Sequence, residues 1–281
     1  MLYKRKLMNN LITHIIIIGL GIIMIYPLAW MLSSSFKPAS EIFDKSSFLP
    51  KNPTFENYVM GWKGFSGYTF SHFYANSFFV TGLVVLGVVF SSSLTAFAFS
   101  KIRFKFKGIL FSILMLTLML PKHVKIIPQY IIFTKLHWIN TYLPLIIPSW
   151  FGTQGFFIFQ MIQYMKSIPN TLFEAARIDG CSYFGIYRRI VMPISIPSII
   201  TTIILSFMWT WNDFFSQLLY LSDVKTYTIS IALRMFVDSS GGSSWGAMFA
   251  MSVVSLLPLF GLFIIFQKYI VEGITSGSIK G

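Results

Sequence analysis

Six stretches of this chain are apolar over roughly 20 residues each, the length that crosses a bilayer as a helix. They run Leu11–Leu32, Tyr74–Phe99, Gly108–Ile127, Leu143–Met165, Ile194–Leu219 and Ala247–Phe266. Hydrocarbon offers the backbone no hydrogen-bond partner, so such segments must be helices that satisfy their own amides and carbonyls. The expected fold class is therefore an all-α membrane protein with six transmembrane helices. Charged residues make up only 11% of the 281 residues and hydrophobic ones 55%, far from soluble norms. The first stretch follows Lys4, Arg5 and Lys6 as a secretory leader would. Its length, and the lack of a small-residue cleavage site, favour a retained span.

Two of the six are not smooth rods. Pro121, Lys122, His123 and Lys125 interrupt the third, which predicts a break or a water-facing end. Pro148, Gly152 and Gly155 in the fourth predict a kink or a close helix contact. Ser91, Ser92, Ser93 and Thr95 likewise suit close packing of the second span.

Basic residues set the expected direction. With the N-terminus inside, Lys4, Arg5, Lys6, Lys101, Arg103, Lys105, Lys107, Lys166, Arg177, Arg188, Arg189, Lys268 and Lys280 fall on the cytoplasmic side. The remaining Lys and Arg residues fall outside, four of them between residues 33 and 72. Both termini are then cytoplasmic and the chain is a multi-pass protein of the cell membrane. The run Lys101, Arg103, Lys105, Lys107 reads as a basic stop beside anionic lipid. A net charge of +13 would suggest nucleic acid in a soluble protein; here the cations flank spans, and no nucleic-acid partner is expected.

Catalysis finds no support. There is no phosphate-binding G-x-x-x-x-G-K-[ST] loop. His14, His72, His123 and His137 are scattered, so no metal site is expected, and no carboxylate pair sits within a span. The single cysteine, Cys181, excludes a disulfide framework.

Residues 170–193, NTLFEAARIDGCSYFGIYRRIVMP, are a charged interruption between two apolar runs. Thr171 with Glu174 fits a capping box, with Pro169 upstream as a breaker. Leu172, Ala175, Ala176 and Asp179 share one helical face with small residues at its centre. Gly180 stands where a helix stops in a left-handed turn. Ser182 can cap a second helix to about Val191, and Pro193 opens the next apolar run. An ordinary polar loop is the plainer reading of the same spacing.

EAARIDG followed by Ile190, Met192 and Pro193 resembles the EAA loop, E-A-A-x₃-G-x₉-I-x-L-P, of the membrane subunits of binding-protein-dependent ABC importers. Glu174, Ala175, Ala176, Gly180, Ile190 and Pro193 match position by position. Met192 stands where the family usually has Leu, a volume-conserving swap. EAARIDG, the WND at 211–213 and the tail QKYIVEGITSGSIKG are similar to the carbohydrate-uptake class, related to maltose and multiple-sugar permeases. The resemblance implies a type I importer permease fold. Residues 1–10 would be a cytoplasmic N-terminus, 11–32 the first span and 33–72 an external loop. Residues 73–268 would form the transmembrane domain, and 269–281 a cytoplasmic tail along the ATPase interface. It also implies a second homologous permease, an ABC ATPase dimer that binds ATP and Mg, and an extracytoplasmic solute-binding protein. This chain would carry no cofactor of its own. In the family the loop enters a cleft on the ATPase. Glu174 would be the charged contact, with Asp179 beside it. Ala175 and Ala176 would pack closely, Gly180 would form the turn, and Ile190 and Pro193 would complete the element.

Other positions carry two readings. Trp209, Trp211, Asn212 and Asp213 lie in the fifth stretch, where an acid at membrane depth faces a wet path and aromatic rings suit sugar faces. The same residues could brace a neighbouring helix and join the interfacial belt. Gln154, Gln160, Gln163 and Gln217 either line a path or bond between helices. Asp223, Lys225, Arg234 and Asp238, around a flexible SSGGSS stretch, are candidates for binding-protein contact. Phe43, Phe48, Phe55, Tyr58 and Trp62 predict an ordered 33–72 segment. Lys122, Lys125 and Arg234 suit either an acidic sugar or docking, and the sugar itself is not readable. A stand-alone secondary transporter or channel is the alternative function; it would have no use for the EAA segment.

Overall fold

A computed structural model describes residues 2–43, 47–238 and 244–275. In chain order the helices are α1 (Leu2–Ser34), α2 (Glu56–Lys63), α3 (Phe70–Lys101), α4 (Lys107–Met119), α5 (Lys122–Lys135), α6 (Leu143–Trp150) and α7 (Gly155–Ser167). They continue as α8 (Asn170–Ile178), α9 (Tyr183–Ile186), a π-helical turn (Tyr187–Val191), α10 (Met192–Ile194), α11 (Ile196–Trp211) and α12 (Phe214–Tyr220). A 3₁₀ turn (Val224–Thr226), α13 (Ile229–Asp238) and α14 (Trp245–Thr275) complete the order.

Four spans are long and apolar enough to cross a membrane: Ile12–Ser34, Phe70–Lys101, Leu143–Ser167 and Trp245–Tyr269. Counting each of two bent helix pairs as one span gives up to six. Lys107–Met119 and Val124–Lys135 meet at 102°, and Tyr183–Ile194 and Ile196–Trp211 at 76°. The third stretch therefore breaks after Met119, as Pro121 predicts, and does not run unbroken to Ile127. Leu120 is extended (φ −75°, ψ 122°), as the residue before proline tends to be, and the chain restarts after Pro121 in a new direction. The fifth is also corrected. Its helix α11 starts at Ile196 after a bend and breaks at Asn212 and Asp213 before α12, because both side chains bond the local backbone in competition with the helix. Pro193 does not open the apolar run as expected. It lies within the helical path 183–194, where it lacks the N–H that would reach Arg189 O, and a π turn precedes it.

The chain divides into two compact units, Met1–Ser71 with Ala232–Leu257 and His72–Ile231 with Pro258–Gly281. In the first, aromatic rings pack the described residues of the 33–71 segment together. Phe36 packs on Phe55 and Tyr58, Phe43 meets Trp245 edge-on at 5.4 Å, and Trp30 meets Phe249 at 5.2 Å. Asn57 donates to the carbonyls of Ser35 and Lys37. Backbone and side-chain donors of Lys51 and Asn52 converge on Glu41, and the Asn52 amide chiefly holds its carboxyl below the usual range. α1 is exposed all round from Ile12 to Leu28, as a helix in lipid would be.

In the second unit α3 is the hub. A Cβ on Gly87 would lie 2.5 Å from the Trp150 ring, so α6 presses directly on its backbone. Ser91 Oγ donates to Ser149 O (2.8 Å), and Ser93 Oγ pairs with Tyr187 Oη (2.8 Å). The serine run serves close helix contact, as its small size predicts. Gly152 adopts φ +69° in the break of the fourth span. Beyond the break, Gly155 brings α7 against Thr117 and Leu118 of α4.

Candidate functional site

Residues 169–194 fold into a rigid two-helix element. α8 begins two residues earlier than a capping box at Thr171 requires. Pro169 is its N-cap, no side chain caps it, and Thr171 lies inside the helix. The start is held instead by Lys101, whose Nζ donates to Ile168 O (2.6 Å) and Asn170 Oδ1 (3.0 Å). Lys101 is thus a brace rather than part of a lipid-facing stop. Lys107 also turns inward, to Ile102 O at 2.9 Å. Lys101→Met should leave the part-buried Ile168 O unpaired at a cost of ~1–3 kcal/mol, while the exposed Asn170 Oδ1 turns to water. Amide exchange over residues 168–173 should then rise by roughly tenfold or more.

The turn is a Schellman motif. Gly180 has φ +78°, its N–H donates to Arg177 O (3.1 Å), and Cys181 N–H donates to Ala176 O (2.9 Å). Ser182 Oγ accepts from Gly185 N–H (3.1 Å), which is the cap read from sequence. Arg177 lies over the Tyr183 ring at 4.3 Å, and Phe173 packs on the same ring. Ala176 faces inward: it joins a buried cluster with Phe97, Met165 and Ile186, so it is not part of the outer face. Ile190 packs against the same cluster, whereas Pro193 is exposed.

The outer face carries Glu174, Ala175 and Asp179, all exposed. Sequence reasoning placed Leu172 there but missed its other large apolar members. Ile178 is 86% exposed and Phe184 65%, with Leu172 and Tyr183 also open. The signal was available in that large apolar residues interrupt a charged segment outside the spans. A rigid surface of this kind, apolar at its centre and charged around it, suits a protein partner.

Three helix breaks converge on a cavity of about 360 Å³. Leu120 and Lys125 come from the α4–α5 break, Gln154 from the α6–α7 break, and Trp209 and Asp213 from the α11–α12 break. Broken helices free backbone groups for a polar ligand, which is why irregular chain at membrane depth lines cavities. Trp209 packs on Phe156 and Phe157 (5.0 and 4.9 Å) and Asp213 Oδ1 accepts from Ser216 N–H. Asp213 thus both caps α12 and lines the cavity. Two candidates do not reach it. Trp211 is 4% exposed, stacks on Phe207 at 5.2 Å and meets Phe78 edge-on at 4.9 Å. Asn212 donates to Met208 O. Gln160 and Gln217 bond between elements, to Ser198 O and Thr210 O. Gln129, Thr117 and Thr153 line the cavity and were missed, since one polar residue in an apolar run does not reveal its direction.

At 220–228 the chain is a fastened turn. Asn140, itself at φ +63°, accepts through Oδ1 from Ser222 N–H, Asp223 N–H and Thr226 Oγ1. His72 Nε2 and Asn76 Nδ2 donate to Lys225 O, and Asp223 Oδ1 accepts from Lys225 N–H. Asp223 and Lys225 are exposed on this turn, and Arg234 is exposed on α13. The Asp238 side chain and residues 239–243 of the SSGGSS sequence lie outside the described residues, as do the 276–281 tail end and the side chains from 270 on. Asn140→Ala should remove three bonds and set a Cβ-bearing non-Asn residue in a left-handed turn, costing ~2 kcal/mol in thermal unfolding of the purified protein. Asn140→Gly should recover only the backbone part. Among the described residues no three His, Cys, Asp or Glu side chains gather as a metal site would.

Comparison with known proteins places this geometry. The chain is 38% identical over 257 residues to a protein of Bacillus subtilis named probable ABC transporter permease protein YurM, covering 91% of this chain and 84% of that one. It is 33% identical over 281 residues to MalG, the trehalose/maltose transport system permease protein of Thermococcus litoralis, covering 99% of both. A solved bacterial ABC transporter for import of the acidic polysaccharide alginate shares the fold, with TM-score 0.82, 22% identity and coverage of 93% and 96%. Residues 84–276 match the family described as binding-protein-dependent transport system inner membrane component. Broken spans around a polar cavity, and a stiff two-helix element between spans, are thus the parts of a permease, and this chain belongs to that family of ABC importer membrane subunits.

Proposed function

We propose that the chain forms half of the translocation path of an ATP-driven importer for a sugar or oligosaccharide. The relatives named for trehalose/maltose, arabinooligosaccharides and galactooligosaccharides support the substrate class. The observation that carries the coupling role is the exposed apolar centre of the 170–193 element, Ile178 with Phe184, on a stiff turn. It docks on an ABC ATPase dimer that binds ATP and Mg. Glu174 and Asp179 supply charge there, Ala175 permits close approach, and Gly180 sets the angle between the two helices. A second permease completes the path, and a solute-binding protein meets this chain at the fastened 220–228 turn, where Asp223 and Lys225 are exposed. Both termini are cytoplasmic in this arrangement. Closure of the ATPase dimer would move the element as one body, because its caps and ring contacts leave little give, and so shift the spans between inward- and outward-open states.

The cavity is the sugar path: Trp209 offers a ring for a sugar face, with Gln154, Asp213 and Lys125 for hydroxyls. Co-purification of the ATPase with the permease in detergent tests the docking. Glu174→Ala together with Ile178→Asp should lose the ATPase while the second permease stays bound. Retention of the ATPase by that variant, with uptake intact, would sink the reading.

A further inference from the structure

Beside α2 lies an apolar groove of about 510 Å³, walled by Tyr58, Val59 and Trp62 on one side and Met251 and Val254 of α14 on the other. It is well built. Gly61 packs so closely on α14 that a Cβ there would lie 2.7 Å from Met251 Cγ, which fixes α2 against the span. The polar groups at its edge are mostly engaged: Tyr58 Oη bonds Ser35 Oγ, and Thr69 Oγ1 bonds Ser71 Oγ. Lys63, exposed at the C-terminal end of α2, is the cation that lines it.

We propose that this groove holds one acyl chain of an anionic glycerophospholipid, with Lys63 at its headgroup phosphate. One wall is the flank of a membrane-spanning helix, so the groove is continuous with the bilayer and a lipid chain enters it without crossing water. The other wall presents Tyr58 and Trp62, the residue types that lie at headgroup depth. Val59 and Trp62 stay largely exposed without an occupant, and a lipid chain would cover both. A sugar finds almost no free hydrogen-bond partner there. Lys63 supplies a point charge complementary to phosphate.

The test uses the assembled importer, delipidated and then given either phosphatidylglycerol or phosphatidylcholine at equal ratio, with retained lipids counted by native mass spectrometry. One phosphatidylglycerol per copy of this chain is expected, favoured over phosphatidylcholine by about fivefold. Lys63→Gln should bring that preference to parity and Lys63→Arg should restore it, while Val254→Phe should fill the groove and remove the retained lipid. Should the Val254 variant fail to assemble, the Lys63 pair decides. Equal retention of both lipids by the unaltered complex would overturn the proposal. So would a photo-cross-linker at position 59 that captures the second permease rather than lipid.

Discussion

Gly180→Pro is expected to abolish binding-protein-stimulated ATP hydrolysis in the reconstituted importer while the permease still inserts and accumulates. Gly180 sits at φ +78°, and proline is fixed near −65°. The substitution also removes the N–H that donates to Arg177 O, so both bonds of the Schellman turn lose their geometry. A helix-terminal defect of ~3 kcal/mol or more corresponds to roughly a hundredfold loss of the docking-competent arrangement. Gly180→Ala keeps the N–H and strains only φ, by ~1–2 kcal/mol. It should reduce stimulated hydrolysis by roughly five- to thirtyfold. No heavy atom stands near a Cβ at this position, so backbone conformation alone sets the cost. Stimulated hydrolysis is the readout, and the amount of membrane-inserted protein is the control.

The second large effect separates two tryptophans that sequence could not tell apart. Trp211→Ala should cost ~3–5 kcal/mol, the range for emptying a large aromatic site in a core. The ring is almost wholly covered by Tyr74, Phe78 and Phe207, and its carbonyl accepts from Ser230 Oγ. Trp209→Ala removes a half-exposed ring from the cavity rim and should leave unfolding within ~1 kcal/mol of the unaltered protein. It should instead weaken uptake, with Trp209→Phe restoring most of it. Thermal unfolding in detergent and uptake in cells read the two separately. Equal destabilisation by both would assign Trp209 to the core as well.

Span existence was legible because apolar length is set by bilayer thickness: four of the six stretches hold helices long and apolar enough to cross, and the other two hold parts of the bent pairs. Span continuity was less so. Pro121 announced the third break, since proline constrains the residue before it. Asn212 and Asp213 gave a weaker hint: short polar side chains break a helix only when they find local backbone partners, and periodicity does not show that. In the 170–193 segment Gly180 and Ser182 were readable, because their roles are local. Thr171 misled, as Pro169 fixed the helix start two residues early. The inward turn of Ala176 and the brace from Lys101 depend on α3 and α7, which are distant in sequence. The cavity was the least legible feature. Its lining comes from three breaks, and no single stretch carries its pattern.

The central claim is that the outer face of the 170–193 element seats on an ATPase. A photo-reactive benzoylphenylalanine at position 178, irradiated in membranes containing the whole importer, tests it most directly. Ile178 is 86% exposed, so the probe fits without disturbing the fold. A cross-linked product joining this chain to the ATPase is predicted, and its yield should fall severalfold with Gly180→Pro. Products joined only to lipid or to the second permease, with none to the ATPase, would contradict the account.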